Sequence, residues 1–181
     1  MIPRRSAAVL PLCLLTIAAC EKEQPGETGQ PGCQPGPMEV EVGTGQTTFV
    51  PIPGGGDLPF YMGPQGGFHV WGSVRARGYA PAGSNDPNDP DHPLVLFTLR
   101  RGSEAVAGTS PLHWNLAPVA DGWREKTGAF VIMSVPAPLQ LEGEAVSLEV
   151  QVTDRCALVG TDRRGGVLRF AGGAPGPGGG G

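Results

Sequence analysis

Aromatic side chains make up only 6% of this 181-residue chain and charged ones only 17%. That is too little of either for a base-stacking nucleic-acid surface or a salt-bridged coiled coil. Lysine is nearly absent, being found only at Lys22 and Lys126. The 13 basic residues are outnumbered by 17 acidic ones, giving a net charge of −4, a sign that opposes capture of nucleic acid or anionic lipid. No nucleic-acid partner is expected. No apolar run reaches the ~20 residues that a helix needs to cross a bilayer; the longest, 7–19, is interrupted by Pro11. Also missing are a Gly-x-Ser-x-Gly elbow, a His-Glu-x-x-His pair, a phosphate loop and a dinucleotide fingerprint. The sequence supplies no catalytic machinery, and the expectation is a protein that is not an enzyme.

What the chain has in abundance is glycine and proline, 30 and 20 residues, more than twice their usual share. A mainly helical fold is excluded. The first residues have a different character. Arg4 and Arg5 form a short basic start, the apolar run follows, and small residues lead to Cys20. This is the layout of a secretory signal.

The approach Ile17-Ala18-Ala19-Cys20 resembles the lipobox of bacterial lipoproteins, with Ile17 where Leu is commoner. The resemblance covers only the first 20 residues. It implies that Cys20 receives a diacylglycerol, becomes the mature N-terminus, and with its fatty acyl chains (palmitate) anchors the protein to a membrane of the cell envelope, the outer membrane ahead of the inner. Each buried methylene contributes ~0.8 kcal/mol, so two or three chains on one residue hold a soluble domain stably. A second stretch, Gly63-Pro64-Gln65-Gly66-Gly67-Phe68-His69-Val70-Trp71, resembles segments of uncharacterised exported bacterial proteins and implies no activity.

The expected organisation is therefore a signal peptide over 1–19, the lipidated cysteine and a Gly/Pro-rich linker over 20–37, one domain over 38–171 and a disordered Gly/Pro tail over 172–181. Within the domain the apolar period is two. Phe68, Val70, Gly72, Val74 and Ala76 alternate with His69, Trp71, Ser73, Arg75 and Arg77, and Val146, Leu148, Val150 and Val152 alternate with Ser147, Glu149, Gln151 and Thr153. Both read as half-buried strands with a polar outer face. Continuous apolar runs at 94–99 and 130–135 read as strands buried on both faces. Weaker strands are expected at 38–42, 47–52, 58–62, 104–107, 112–116 and 167–170. Glycine-rich turns separate them, among them Gly165-Gly166. The pattern predicts an all-β fold, an antiparallel two-sheet sandwich of immunoglobulin-like type, with a small β-barrel or jelly roll as the alternative.

With Cys13 in the signal and Cys20 lipidated, Cys33 and Cys156 have only each other as intramolecular partners. If Phe68, Leu94, Phe130 and Val146 open the B, C, E and F strands, Cys156 lies at the exit of F and Cys33 just ahead of A. Those points share one end of the sandwich, so a disulfide is expected. His69, His92 and His113 are the only histidines, and none has the spacing of a helix-borne metal pair. His69 is the one retained as a metal candidate, on the outer face with Trp71. The loop 84–93 gathers Asp86, Asn88, Asp89 and Asp91, oxygen donors of the kind that Ca²⁺ takes, without the glycine turn and distal Glu of an EF-hand. Cofactors are otherwise not expected. The functional expectation is a membrane-anchored, non-catalytic binding or scaffolding module for an envelope protein or surface ligand, with a metal-ion-binding envelope protein (Ca, Cu or Zn) as the alternative.

Overall fold

In a computed structural model of the chain, residues 33 and 36–173 are described, and among them strands dominate and helix is confined to two short 3-10 turns. The signal segment with Cys20, nearly all of the linker and the tail from 174 onward lie outside the described residues. The strands in chain order are β1 (Glu39–Thr44), β2 (Val50–Pro51), β3 (Gly56–Met62), β4 (Phe68–Arg77), β5 (Leu94–Arg101), β6 (Glu104–Gly108), β7 (Leu112–His113), β8 (Ala117–Pro118), β9 (Arg124–Met133), β10 (Ala145–Thr153) and β11 (Val159–Gly173).

The fold is all-β, and the sheet closes on itself. Following hydrogen-bonded neighbours from β4 through β3, β11, β10, β5, β6 and β9 leads back to β4, a ring of seven strands. Of the arrangements that the sequence left open, this is the barrel. The remaining short strands are appended: β1 to β4, β2 to β1, β7 to β5 and β8 to β9. All pairings are antiparallel except that of β3 with β11, which is parallel.

One edge of β4 is shared. Phe68–Val70 pair with β3, and Ser73–Arg77 pair with β1. The other edge of β4 is taken by β9. Inward residues fill the ring as in any small barrel: Leu58, Phe60, Val70, Val74, Phe97, Leu99, Val131, Leu148 and Leu168 are at most 1% exposed. Fully burying one such side chain stabilises by about 1.5–3 kcal/mol.

Five expectations need correction. β4 is buried on both faces, His69, Trp71 and Ser73 included, because a second apolar layer covers its outer side. The run 130–135 is instead half-buried, with Phe130 and Ile132 outward and Val131 and Met133 inward. Gly165-Gly166 is no turn but the middle of β11, where a Cβ on Gly166 would meet the Gly56 carbonyl oxygen at 2.9 Å; the missing side chain lets β3 approach. β11 also runs through Gly172 and Gly173, so the domain extends past 171. The weak strands at 47–52 and 112–116 shrink to two residues each.

Cys33 and Cys156 form the expected disulfide, with Cα atoms 5.7 Å apart and a sequence separation of 123. It sits at the end of the barrel where β10 leads into β11. Asp154 holds that turn: buried, it accepts the Cys156 and Leu158 N–H groups on Oδ1 and the Ala80 N–H on Oδ2, each at 2.9 Å. Reduction should therefore lower the thermal midpoint, by the equivalent of up to ~5 kcal/mol on the loop-entropy account. The β signature in circular dichroism should persist, since the barrel ladders do not involve the bridge. Coincident melts of reduced and oxidised protein would contradict this role.

Candidate functional site

The two outer walls of the barrel differ in kind. On β5, β10 and β11 the outward side chains are mixed, with Leu96, Thr98, Gln151 and Thr161 around an ion-paired centre in which Glu149 takes Arg100 Nε at 2.8 Å and Arg163 Nε at 3.2 Å. Such exposed pairs contribute little stability, about 0–1 kcal/mol each, but they keep that wall wet. On β3, β4 and β9 the outward side chains near the Phe68 end of β4 are mostly rings, while Arg75 farther along β4 pairs with Glu125 of β9 at 2.9 Å. Trp71 stands opposite Phe130 across the ladder with ring centroids 4.5 Å apart, His69 lies 4.7 Å from Trp71 and 4.8 Å from Phe130, and Tyr61 is 6.0 Å from His69. Trp71 and His69 are covered, while Phe130 remains 54% and Ile132 58% exposed.

Beside these two residues the barrel is incompletely zipped. β6 and β9 pair only at Ala107 with Met133 and Gly108 with Ile132, and the Ser134 N–H donates to the Val106 carbonyl at 3.0 Å. In an antiparallel ladder alternate residues turn both N–H and C=O to the same neighbour, so the next rung in this register would join Phe130 to Ser110. It is not made. The Thr109 N–H donates to the Phe97 carbonyl, and the chain continues along β5 as β7, away from β9. β9 regains a partner on this edge only at Arg124 and Glu125, against β8.

Between the diverging strands lies a groove of about 790 Å³, floored by Phe97, Trp114 and Ala129 and rimmed by Phe130 and Ile132. No ionisable side chain lines it. Gly128 marks its lower part. With φ of +77° it lifts its N–H to the Gly45 carbonyl, and a Cβ there would be 2.6 Å from the Gln46 oxygen. Only glycine fits this break in the β9 ladder. A smaller pocket of about 350 Å³ lies on the other side of Phe130 and Ile132, against His69 and the Gly63 to Gly67 turn.

Of the residues singled out from the sequence, Cys20 lies outside the described residues, and Cys33 and Cys156 form the structural bridge. His69 is not on a solvated face but enclosed among rings, its Nε2 without a hydrogen-bond partner. The acidic loop does not form a cage. Asp86 Oδ1 accepts the Asn88 N–H at 3.0 Å, Asp89 Oδ1 accepts the Asp91 N–H at 2.9 Å, and Asp89 Oδ2 accepts the Ser84 hydroxyl at 2.6 Å. These bonds hold the Asp89 carboxyl below the usual carboxylate range, the Ser84 hydroxyl contributing most. His92 closes the loop by donating from Nε2 to the Asp86 carbonyl at 2.7 Å. Among the described residues no group of three or more His, Cys, Asp or Glu side chains is placed to hold a metal ion, and the metal-binding reading gains no support. The residues that sequence reasoning missed are Phe130, Ile132 and the unzipped Ser110 rung. Their signal was the polar Ser134 within an apolar run and the Gly128-Ala129 pair ahead of it.

A scan of protein-family models and searches among curated proteins and solved structures return no match for this chain. The site's chemistry is therefore read from its own residues.

Burial lowers the pKa of His69 from its ordinary value, since the rings around it solvate an imidazolium less well than water. The unfolded chain takes up this proton near pH ~6.5 and the folded chain only at lower pH. The stability that neutral His69 secures is thus present above pH ~6.5 and declines as the pH falls through that value toward the folded one. His69→Phe should flatten the fall: between about pH 7.5 and pH 5 the wild type should lose more of its denaturation midpoint than the variant. Parallel curves would show that the burial is inconsequential.

Proposed function

We propose that this chain is an exported, lipid-anchored, non-catalytic binding module, and that its binding face is the aromatic wall of β4 and β9 with the open seam beside it. The observation that carries the reading is the pair of exposed apolar side chains, Phe130 and Ile132, at the rim of an uncharged groove. Exposed apolar surface beside a well-formed groove is where partners or ligands dock. On the opposite wall the exposed apolar side chains of β11, Val159 and Phe170, stand at its two ends and are separated by the ion pairs of Arg163 and Arg164.

The position of the disulfide supports a directional arrangement. Cys33, Cys156 and the start of β1 lie at one end of the barrel, whereas Met62, Phe170 and the Gly63 to Gly67 turn lie at the other. A tether running from Cys20 to Cys33 thus attaches at the far end from the small pocket, with the groove on the wall between the two ends. The destination is the cell envelope, with the outer membrane favoured over the inner on the lipobox resemblance.

The strand pairings support an immunoglobulin-like reading of the barrel. β4 pairs with β9 and β5 with β10, as B pairs with E and C with F in that fold, and β11 follows as G. The departures are the short β6 to β9 contact and the parallel β3 to β11 contact, which join the two sheets.

The test uses the full chain expressed in cells with a photo-crosslinking residue at position 132 or, as control, at position 163. Adducts are expected from 132 and not from 163, and Cys20→Ala should move the protein from the membrane to the soluble fraction. Equal labelling at both positions would remove the binding face. Retention of the Cys20→Ala chain on the membrane would remove the lipid anchor.

A further inference from the structure

We propose that the open seam takes up an extended, uncharged peptide segment as an added strand, bonded to the Phe130 and Ser110 main chains. The proposal rests on the binding-module reading above and names the class of partner.

The strand form follows from the backbone. By the alternation of the β6 to β9 ladder, Phe130 directs its N–H and C=O into the groove, and no backbone partner among the described residues meets them. On the facing side Thr109 bonds to β5, and Ser110, the next residue, lines the same groove outside any strand. Unpaired strand edges recruit another strand, with main-chain bonds giving affinity and alternate side chains giving selectivity. On this edge the unpaired stretch of β9 between Glu125 and Ile132 is broken at Gly128, whose N–H goes to the Gly45 carbonyl. Its regular part, 129–131, is about 10 Å long at ~3.3 Å per residue, room for roughly three paired residues of a longer guest.

The chemistry of the guest follows from the lining. A charged side chain inside a groove without ionisable groups would lose hydration with no partner to replace it. Ala105, Ala107, Gly108, Gly128 and Ala129 leave space at the backbone level, and Phe97 and Trp114 supply an apolar floor. Inward side chains of the guest should therefore be apolar and its backbone unsubstituted at the paired positions.

The test screens the disulfide-bonded mature chain against a pooled library of end-capped linear octapeptides without ionisable residues, and against a matched pool containing Lys and Glu. Binders are expected from the uncharged pool. With a selected peptide bound, exchange of the Phe130 amide should slow by about tenfold or more, and backbone N-methylation at the paired positions of the peptide should weaken binding by about tenfold. Absence of binders, binders insensitive to N-methylation, or protection of Phe130 by self-association without peptide would each overturn strand addition. If strand addition fails while crosslinks at position 132 persist, the wall still binds a partner by other contacts. If both fail, the binding-module reading falls with it.

Discussion

The pairing of β4 along both of its edges is the constraint on which the rest of this structure depends. One edge is divided between β3 and β1, and the other runs against β9 through a break at Gly128. Because β3 then lies parallel to β11 and β9 touches β6, the two halves of the sheet are joined on both sides and the apolar interior is enclosed. These edge partners bring ring-bearing neighbours over the outer side of β4 near Phe68, while Arg75 and Arg77 farther along stay partly exposed. His69 and Trp71 are consequently packed in an aromatic layer, and Phe130 and Ile132 become the layer's exposed surface.

The two closures are unequal, and the inequality creates the site. The β3 to β11 side is a register of several residues made tight by Gly166. The β6 to β9 side consists of two residue pairs, after which the strands diverge. A sheet that unzips for part of its length must leave main-chain polar groups in an apolar setting, a cost that natural proteins manage with water, cover or a partner strand. An uncharged groove at that point, beside the aromatic part of the β4 and β9 wall, ties the binding reading to the topology rather than to any one side chain.

Much of the framework was legible in the sequence because it depends on local periodicity. The alternation of Val146, Leu148, Val150 and Val152, and the terminal positions of Cys33 and Cys156, carried through to β10 and to the bridge. Side-chain polarity misled where tertiary neighbours decide burial. His69, Trp71 and Ser73 looked like a wet face but are covered, and Phe130 and Ile132 looked like core but are exposed. Periodicity reports which residues share a face, not what lies opposite it. Gly165-Gly166 failed for a related reason: glycine marks close backbone approach as well as turns, and only the position of β3 distinguishes the two. The candidate site was the least legible part: Gly128-Ala129 and Ser134 mark irregularities in β9, but whether Phe130 keeps a partner depends on where the chain turns after Thr109.

Residue-resolved amide hydrogen exchange on the native, oxidised protein tests the account most directly. The prediction is slow exchange at Ser134, whose N–H is bonded to Val106, and at Val131, paired with Val70 in β4, with rapid exchange at Phe130 next to Val131. Ser110 should exchange rapidly as well. Protection of Phe130 to the level of Val131 in the absence of any ligand would mean that the seam is closed, contradicting both the open edge and the binding role built on it.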